Sequence, residues 1–547
     1  MAIVIINGQE LEIGDGETLN AIQAARRAGV EIPHYCWHPG LSVVGSCRMC
    51  LIEVGTRDPQ SGQITMLPKL TPGCNTLVKD GMVVVTNSEK VEQARAMVEE
   101  DLLLRHPVDC PICDKAGECA LQDYYFRYGQ DQRRADIKPY TSRRRDVGEN
   151  ITLFVDRCVM CSRCVRFTRE ISGTGELMVI RRGTGEEIDV LPGYPLANNL
   201  SGNVVDLCPV GALCDKDFLY QQRVWYLKQH AGVCTGCATG CSIWTEENQD
   251  RIYRTKPREN PHVNQWWICN DGRYDYHHVH HDQRLTGVRR RDGQSAVELD
   301  WTQVAGELRD RLRGAVRLAA VLSPFLTVEE AYMLATFMRQ LDPEAQLVLG
   351  PVPVVGEDQR YPSGFVVSAE KCPNRRGVER ILAHFTGKVT RLDDWLPELT
   401  RGQVQGVWVS GGYKRDDWID EATAAAFDGL PLLIVQDLFP SPLSRRATYE
   451  LAGAAYPERD GSYVNRADRL QSVRWAIRPP QGVRPEGSLF WELLGLPGLY
   501  DARKILSEVA AEILYFHAAG GPIPDVGVDL KVNLLAANSA TNDEMTV

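Results

Sequence analysis

All but two of the 17 cysteines, together with one histidine, fall into four successive groups of four in the first half of the chain. The groups are Cys36, Cys47, Cys50 and Cys74; His106, Cys110, Cys113 and Cys119; Cys158, Cys161, Cys164 and Cys208; and Cys234, Cys237, Cys241 and Cys269. Soft thiolates in such groups hold zinc or iron–sulfide cores. Four of them in series, each with its own spacing, describe a path for electrons. No single metal site explains them all.

The first group places one ligand ahead of a C-x-x-C pair and one well behind it, with Gly45, Ser46 and Gly73 close by. Small residues suit backbone amides approaching bridging sulfides, and the group reads as a [2Fe–2S] site. A four-cysteine zinc site normally shows two C-x-x-C knuckles, and this group has one. In the second group an imidazole joins three thiolates, which changes the charge and potential of a [4Fe–4S] cluster. On spacing alone, zinc held by three thiolates and one imidazole competes here. The third group has the C-x-x-C-x-x-C run and the remote Cys208-Pro209 of bacterial ferredoxins. Thr168 stands where a two-cluster ferredoxin would place a fourth nearby cysteine, so one [4Fe–4S] cluster closed by Cys208 is expected. The fourth group is a further [4Fe–4S] candidate, with zinc as the alternative. Of the two remaining cysteines, Cys214 reads as a buried spectator and Cys372 as an ordinary thiol in a loop. His277, His278, His280 and His281 read as a polar exposed stretch.

Those ligands need scaffolds. Ile3–Ile6 and Glu10–Ile13 flank Asn7-Gly8, a strong hairpin signal. Residues 18–28 have helical spacing ended by Gly29, and residues 83–86 supply a returning strand, as in a β-grasp ferredoxin domain. Residues 89–105 predict an amphipathic helix with Val91, Ala94, Met97, Val98 and Leu102 on its inner face, leading to His106. Residues 131–150 read as a polar surface connection. After Cys269, apolar runs at 319–322, 346–349, 406–409 and 432–435 alternate with helical patterns such as 328–341, the mark of an α/β layered domain. The tail from Ala536 reads as loose. The expected division is 1–87, 88–130, 131–226, 227–285 and 286–547: a multidomain α+β and α/β chain.

A net charge of −11 argues against nucleic acid as a main partner. The basic runs Arg143–Arg145 and Arg289–Arg291 are each flanked by an acid and read as solvated faces. No secretory signal and no stretch long enough to span a bilayer is evident. No G-x-G-x-x-G follows a strand, so nucleotide binding is expected on a partner. No general acid, base or nucleophile is expected, and catalytic residues are none.

The chain resembles the large iron–sulfur subunit of bacterial respiratory complex I, the G subunit of NADH:quinone oxidoreductase, and its mitochondrial 75 kDa equivalent. The resemblance rests on the stretch from His106 through Lys115, on Gly117-Glu118-Cys119, on Arg157 through Phe167, and on Asn203 through Leu213. It covers roughly residues 1–285. It implies a [2Fe–2S] cluster on the first group and [4Fe–4S] clusters on the other three, the fourth lying off the main electron path. It also implies an electron-relay role in the peripheral arm. The implied partners are the flavin/NADH-binding subunit, the small [2Fe–2S] subunit, the two-[4Fe–4S] connecting subunit and the quinone-module subunits. The implied place is the cytoplasmic face of the bacterial inner membrane, held through the complex. The later region resembles a shortened molybdopterin-oxidoreductase fold through Glu458-Arg459-Asp460-Gly461-Ser462-Tyr463-Val464-Asn465 and Arg469-Leu470-Gln471. Asp271 stands where cofactor-bearing relatives place lysine, so no molybdopterin is expected. Arg157, Arg163, Arg166 and Lys115 are expected to raise nearby cluster potentials. The rival readings are the molybdenum-dependent catalytic subunit of an NAD-linked formate dehydrogenase, a hydrogenase-linked electron-transfer subunit, and a structural zinc protein. Metal content separates the first and third, and the hydrogenase-linked subunit would end near residue 230 and lack the fourth group.

Overall fold

The computed structural model describes residues 1–531 apart from 133, 142, 184, 293 and 294. The expected loose tail from Ala536 lies outside the described residues. Two compact units are present, one of residues 1–227 with 361–363, the other of 228–360 with 364 onward.

The first unit opens with β1 (Ala2–Ile6) and β2 (Gln9–Ile13), paired antiparallel. Asn7 and Gly8 take φ of 49° and 86°, the left-handed pair that a type I′ turn requires. Helix α1 (Ala21–Arg27) starts at Asn20, whose side chain accepts from Gln23 N in a reciprocal capping box. It therefore begins three residues later than the periodicity predicts. Strand β3 (Leu51–Arg57) carries the short β4 (Ile64–Met66) and β5 (Thr71–Pro72). Strand β6 (Met82–Val85) returns parallel to β1, giving the order β2-β1-β6-β3-β4. Val4, Ile6, Ile22, Ala25, Ile52 and Val84 form the core under this sheet.

Helix α2 (Glu89–Leu103) corrects an expectation. It buries Val91, Arg95 and Glu99, while Met97, expected on the inner face, is 56% exposed. Helix α3 (Ala120–Tyr128) packs beside it. Residues 144–146 are also more than a connection. They form β7 (Arg144–Asp146), which pairs with β8 (Ile151–Phe154). Arg143 reaches the buried carboxylate of Asp156 at 2.8 Å, and Arg143 and Arg145 both reach Glu187. This is a paired network, where a solvated basic face was expected. The unit continues with α4 (Arg163–Glu170), the hairpin β9 (Leu177–Ile180) and β10 (Glu187–Val190), α5 (Asn203–Leu207), and β11 (Leu213–Asp215) on β8.

The second unit begins with a three-stranded sheet, β12 (Lys228–Val233), β13 (Ser242–Asn248) and β14 (Arg251–Pro257), followed by the short α6 (Asn270–Arg273). Its main sheet has eight strands. The hairpin β15 (Val288–Asp292) and β16 (Ser295–Leu299) forms one antiparallel edge, and α7 (Trp301–Arg313) follows it. Then come β17 (Leu318–Leu322), α8 (Val328–Leu341), β18 (Gln346–Leu349), the small pair β19 (Gln359–Arg360) and β20 (Val366–Val367), and α9 (Arg375–Thr386). The edge strand β21 (Thr390–Arg391), α10 (Leu392–Leu399), β22 (Gly406–Ser410), α11 (Glu421–Ala425), β23 (Leu432–Asp437) and β24 (Tyr449–Ala452) complete it. The order is β16-β15-β24-β23-β22-β17-β18-β21, with β24 through β21 parallel.

Every residue of β17 is buried because helices cover both faces. Leu318, Ala320 and Leu322 join the core that includes α8 and α9, while Ala319 and Val321 join the one that includes α10 and α11. The four expected strands and the helix at 328–341 all form. A last sheet joins β25 (Gly461–Val464), β26 (Arg469–Val473) and β27 (Val528–Asp529).

Candidate metal centres

The first cradle is built from the loop between α1 and β3 and from the single turn Gly73–Asn75. Cys36 accepts hydrogen bonds from the thiols of Cys47 and Cys74, and from the backbone amides of Cys47 and Ser46. Those bonds hold its thiol well below the ordinary range, so a thiolate is favoured there. Cys50 is lowered in the same way by Cys74. Gly45 and Arg48 have φ of 64° and 59°, the local winding by which successive amides can face an anionic centre. Cys36, Cys50 and Cys74 are buried, and Cys47 is partly open.

His106, Cys110, Cys113 and Cys119 line one hollow with about 300 Å³ of atom-free space. Burial, followed by the charge of Arg157, pushes the His106 imidazole down to about 4. It is therefore neutral at physiological pH, the state in which an imidazole nitrogen can ligate a metal. Burial pushes Cys119 up to about 11. Unpaired, such thiols stay protonated; a bound cation reverses that preference. Cys110 is exposed.

Cys158, Cys161, Cys164 and Cys208 line another hollow, with about 360 Å³ of atom-free space that includes its opening to solvent, walled by Leu153, Ile188, Val210 and Leu213. Met160 and Ser162 take φ of 49° and 57°, which winds the C-x-x-C-x-x-C loop around the hollow before α4 begins. Met160 N donates to Cys158 Sγ at 3.3 Å. Burial and the neighbouring thiols push Cys164 far up. Thr168 points away from this set, its hydroxyl donating to Val165 O.

The three cradles are joined by specific contacts. Gly211 lies so close to the second that a Cβ there would stand 2.1 Å from Cys113 Sγ, yet it is three residues from Cys208 of the third. Arg157 precedes Cys158 and lines the hollow of the second cradle, beside His106, where it pairs with Asp109 at 2.9 and 3.0 Å. Arg166 donates to Cys36 O, to Ser42 O, and to Cys161 O at 3.2 Å, fastening the first cradle to the third. Arg163 ties Trp37 O (2.6 Å) to Leu207 O (3.2 Å). Lys115 is placed by Val205 O at 3.3 Å and Glu118 at 3.6 Å. No local sequence signal reports these links, because the bonded carbonyls lie up to 130 residues away.

The fourth cradle belongs to the second unit. Cys234 N donates to Cys241 O at 2.8 Å, closing the loop between β12 and β13. Cys269 caps α6 and accepts from Gly272 N at 3.3 Å. A Cβ on Gly272 would lie 2.8 Å from Cys234 Sγ, so only glycine fits. Cys241 is pushed far up by burial and then by Cys234, Cys237 and Cys269, its neighbours. The 458–471 stretch clasps this loop from behind. Asn465 Nδ2 donates to Thr239 O (3.1 Å), Gln471 Nε2 donates to Gly240 O (2.8 Å), and Ser242 Oγ donates to Gln471 Oε1 (2.8 Å). Lys414, from the end of β22, pairs with Asp275 beside this centre, and sequence reasoning did not find either residue.

Cys214 is buried and donates to Gly211 O at 3.5 Å, and Cys372 is buried beside Phe325 and Tyr413. The four late histidines do not converge, nor are all of them exposed. His278 is tucked against Asp275, His280 Nε2 accepts from Ile252 N at 3.0 Å, and His281 faces Phe439. Turn geometry at 275–280 sends them to different neighbours. Among the described residues, no group of three or more His, Cys, Asp or Glu side chains is arranged for a single metal ion.

Family models match in the same order along the chain. A 2Fe-2S iron-sulfur cluster binding domain matches residues 3–89, and the NADH-ubiquinone oxidoreductase-G iron-sulfur binding region matches 95–134. The ferredoxin-like domain of NADH-quinone oxidoreductase subunit 3 matches 148–214, and the molybdopterin oxidoreductase Fe4S4 domain matches 227–281. The NADH-quinone oxidoreductase G subunit of Rickettsia felis is 35% identical over 338 residues, which is 61% of this chain and 48% of that protein. The mitochondrial NADH-ubiquinone oxidoreductase 78 kDa subunit of Candida albicans is 36% identical over 302 residues, 55% of this chain and 40% of that one. Over these spans the chain is similar to NADH-quinone oxidoreductase G subunits and their 75 kDa equivalents. It covers about half the length of the curated family members it matches. A solved chain of an NAD+-reducing [NiFe]-hydrogenase in the H2-reduced state is 26% identical, covering 41% of this chain and 91% of that one, but its TM-score of 0.35 gives the likeness no weight. The matching family models thus describe 2Fe-2S and 4Fe-4S binding domains over residues 3–89, 95–134 and 227–281. No helix among the described residues is long and apolar enough to cross a membrane.

Proposed function

We propose that the chain is an iron–sulfur electron-relay subunit of the peripheral arm of an NADH:quinone oxidoreductase. Cys36, Cys47, Cys50 and Cys74 would hold a [2Fe–2S] cluster. His106, Cys110, Cys113 and Cys119, then Cys158, Cys161, Cys164 and Cys208, and finally Cys234, Cys237, Cys241 and Cys269 would each hold a [4Fe–4S] cluster. When bound, these clusters supply one-electron carriage. The chain's own task is to bury them, fix their separation and set their potentials through charges and hydrogen bonds.

The observation that carries this reading is the gathering of three cradles in one unit, pinned to one another by Arg157, Gly211 and Arg166. A relay needs rigid, closely spaced sites, whereas independent structural metals do not. The fit to clusters rests on the two hollows and on the buried thiols around them. The second unit would be a molybdopterin-type scaffold without pterin. Around the C-terminal end of β22, Tyr413 stacks on Trp418 at 4.3 Å, and Phe325 and Cys372 pack against Tyr413. In open α/β sheets that end is the usual ligand site. Electrons would come from a flavin- and NADH-binding subunit with its small [2Fe–2S] companion. They would leave toward a two-[4Fe–4S] connecting subunit and the quinone module, at the cytoplasmic face of a bacterial inner membrane.

The test is reduction in the assembled complex. NADH should reduce the first three clusters, so that their EPR signals appear, when the flavin-bearing subunit is present, and leave them oxidised when it is removed. Reduction by NADH of the isolated chain, or bound molybdenum in stoichiometric amount, would contradict the proposal. The second result would favour the formate-dehydrogenase type.

A further inference from the structure

Helix α2 turns a polar stripe inward, and its end carries an unusual group. Glu99 is fully buried. Tyr35 Oη donates to its Oε1, while Oε2 has no hydrogen-bond partner. Arg95, one turn earlier, is directed elsewhere. Its guanidinium donates to Thr86 O (2.9 Å), Tyr128 Oη (3.4 Å) and Leu51 O (3.4 Å). An ionised carboxylate in such a place is costly, and the usual relief is to take a proton.

The location gives that proton a use. Tyr35 directly precedes Cys36, and Leu51 directly follows Cys50. The Tyr35 ring meets Tyr124 edge-on at 5.2 Å, and Tyr124 lies on α3, which starts after Cys119. Helix α2 therefore grips both arms of the first cradle through Glu99 and Arg95. We propose that Glu99 is a redox-linked proton site for the first iron–sulfur centre. It takes one proton when an electron enters that cradle and releases it when the electron leaves. The inference rests on the [2Fe–2S] reading above.

The balance is simple. One electron arrives from a one-electron donor and one proton arrives from water at a carboxylate oxygen, so the buried region gains no net charge. The added electron raises the proton affinity of a nearby carboxyl. The surrounding groups do not compete for the role. Burial pushes Glu99 up to about 7, while the Tyr35 hydrogen bond opposes the rise. Burial raises Tyr35 and Tyr124 further above the ordinary phenol range, so both stay protonated. His34, whose amide donates to Tyr124 Oη at 3.1 Å, is pushed down to about 4 by burial and stays neutral. Other ionisable groups nearby are Arg95 with Tyr128, Arg127 and Glu92, Glu31 and Arg163 near Tyr124, and Cys119 near the Tyr35 ring.

The test is an EPR-monitored redox titration of the [2Fe–2S] signal in the full-length, cluster-loaded chain, with dithionite, from about pH 6 to 9. The midpoint potential should fall as pH rises, approaching about 59 mV per pH unit where one proton accompanies each electron. In Glu99→Gln, which keeps an oxygen for Tyr35, the potential should be flat with pH. In Tyr35→Phe, which removes the donor that favours the carboxylate, the sloping window should move to higher pH. A redox-difference infrared spectrum of the unsubstituted chain, with glutamate carrying 13C, should show a carboxylic acid C=O band growing on reduction. A flat wild-type potential, a slope that survives in Glu99→Gln, or no labelled band would overturn the proposal. If no [2Fe–2S] signal forms at all, the cluster reading fails; if the signal forms and is flat, only the proton site fails.

Discussion

Gly211 gives the sharpest local test of the joined cradles. In Gly211→Ala the new methyl would stand 2.1 Å from Cys113 Sγ and 3.3 Å from Lys115 Cβ, where ordinary contact begins at 3.4 Å. Overpacking a well-filled site usually costs about 1–3 kcal/mol, because neighbours shift to share the strain. Here the principal neighbour would be a sulfur bound to iron, fixed in length and direction by its bond. Relief must come from moving residues 208–212 away, which also disturbs Cys208, or from breaking the Cys113 bond. The second or third [4Fe–4S] cluster should therefore be lost or strongly altered, while the [2Fe–2S] signal stays. The assay is iron and sulfide content, with EPR of the reduced protein. Gly306→Ala is the control, since a methyl on that exposed helical glycine meets nothing within 4 Å and should leave every cluster in place. A Gly211→Ala protein with full cluster content and unchanged spectra would refute the contact between the two cradles.

Other outcomes follow from the same geometry. Replacing the neutral imidazole by a thiolate in His106→Cys adds a negative charge to the second centre; its potential should fall by at least one tenfold step in electron affinity, about 59 mV, and an unchanged titration would remove His106 from the ligand set. Arg157→Met takes a buried cation from the same hollow and should lower that potential too, with the first centre much less affected. Gln471→Ala leaves Gly240 O and Ser242 Oγ without this partner, at about 1–3 kcal/mol for each buried group left unpaired. The fourth cluster should then be lost at lower temperature than the other three, and coincident loss would show that the 458–471 stretch does not support it.

Much of the scaffold was legible because it depends on local rules. Asn7-Gly8 announces its hairpin, since few other residues take two successive left-handed conformations. The four apolar runs in the second unit announce parallel strands, because a strand covered on both faces has no polar side to hide the pattern. Spacing alone set the cysteines and His106 into the groups proposed above as ligand sets. What failed was the apolar inner face assigned to α2. Helix α2 buries Arg95 and Glu99 because backbone carbonyls and a tyrosine from other segments satisfy them, and Met97 is left outside. Arg143 looked solvated because its partners, Asp156 and Glu187, are 13 and 44 residues away. The bridge from Arg166 to Cys36 O is likewise a long-range hydrogen bond that no periodicity encodes.

Metal and sulfide analysis of the purified chain, joined to EPR after dithionite reduction, decides whether these thiols hold clusters at all. A relay subunit should be brown, with iron and sulfide matching one [2Fe–2S] and three [4Fe–4S] clusters, no molybdenum, and distinct signals for interacting reduced centres. A colourless, zinc-bearing protein that stays EPR-silent after reduction would contradict that reading.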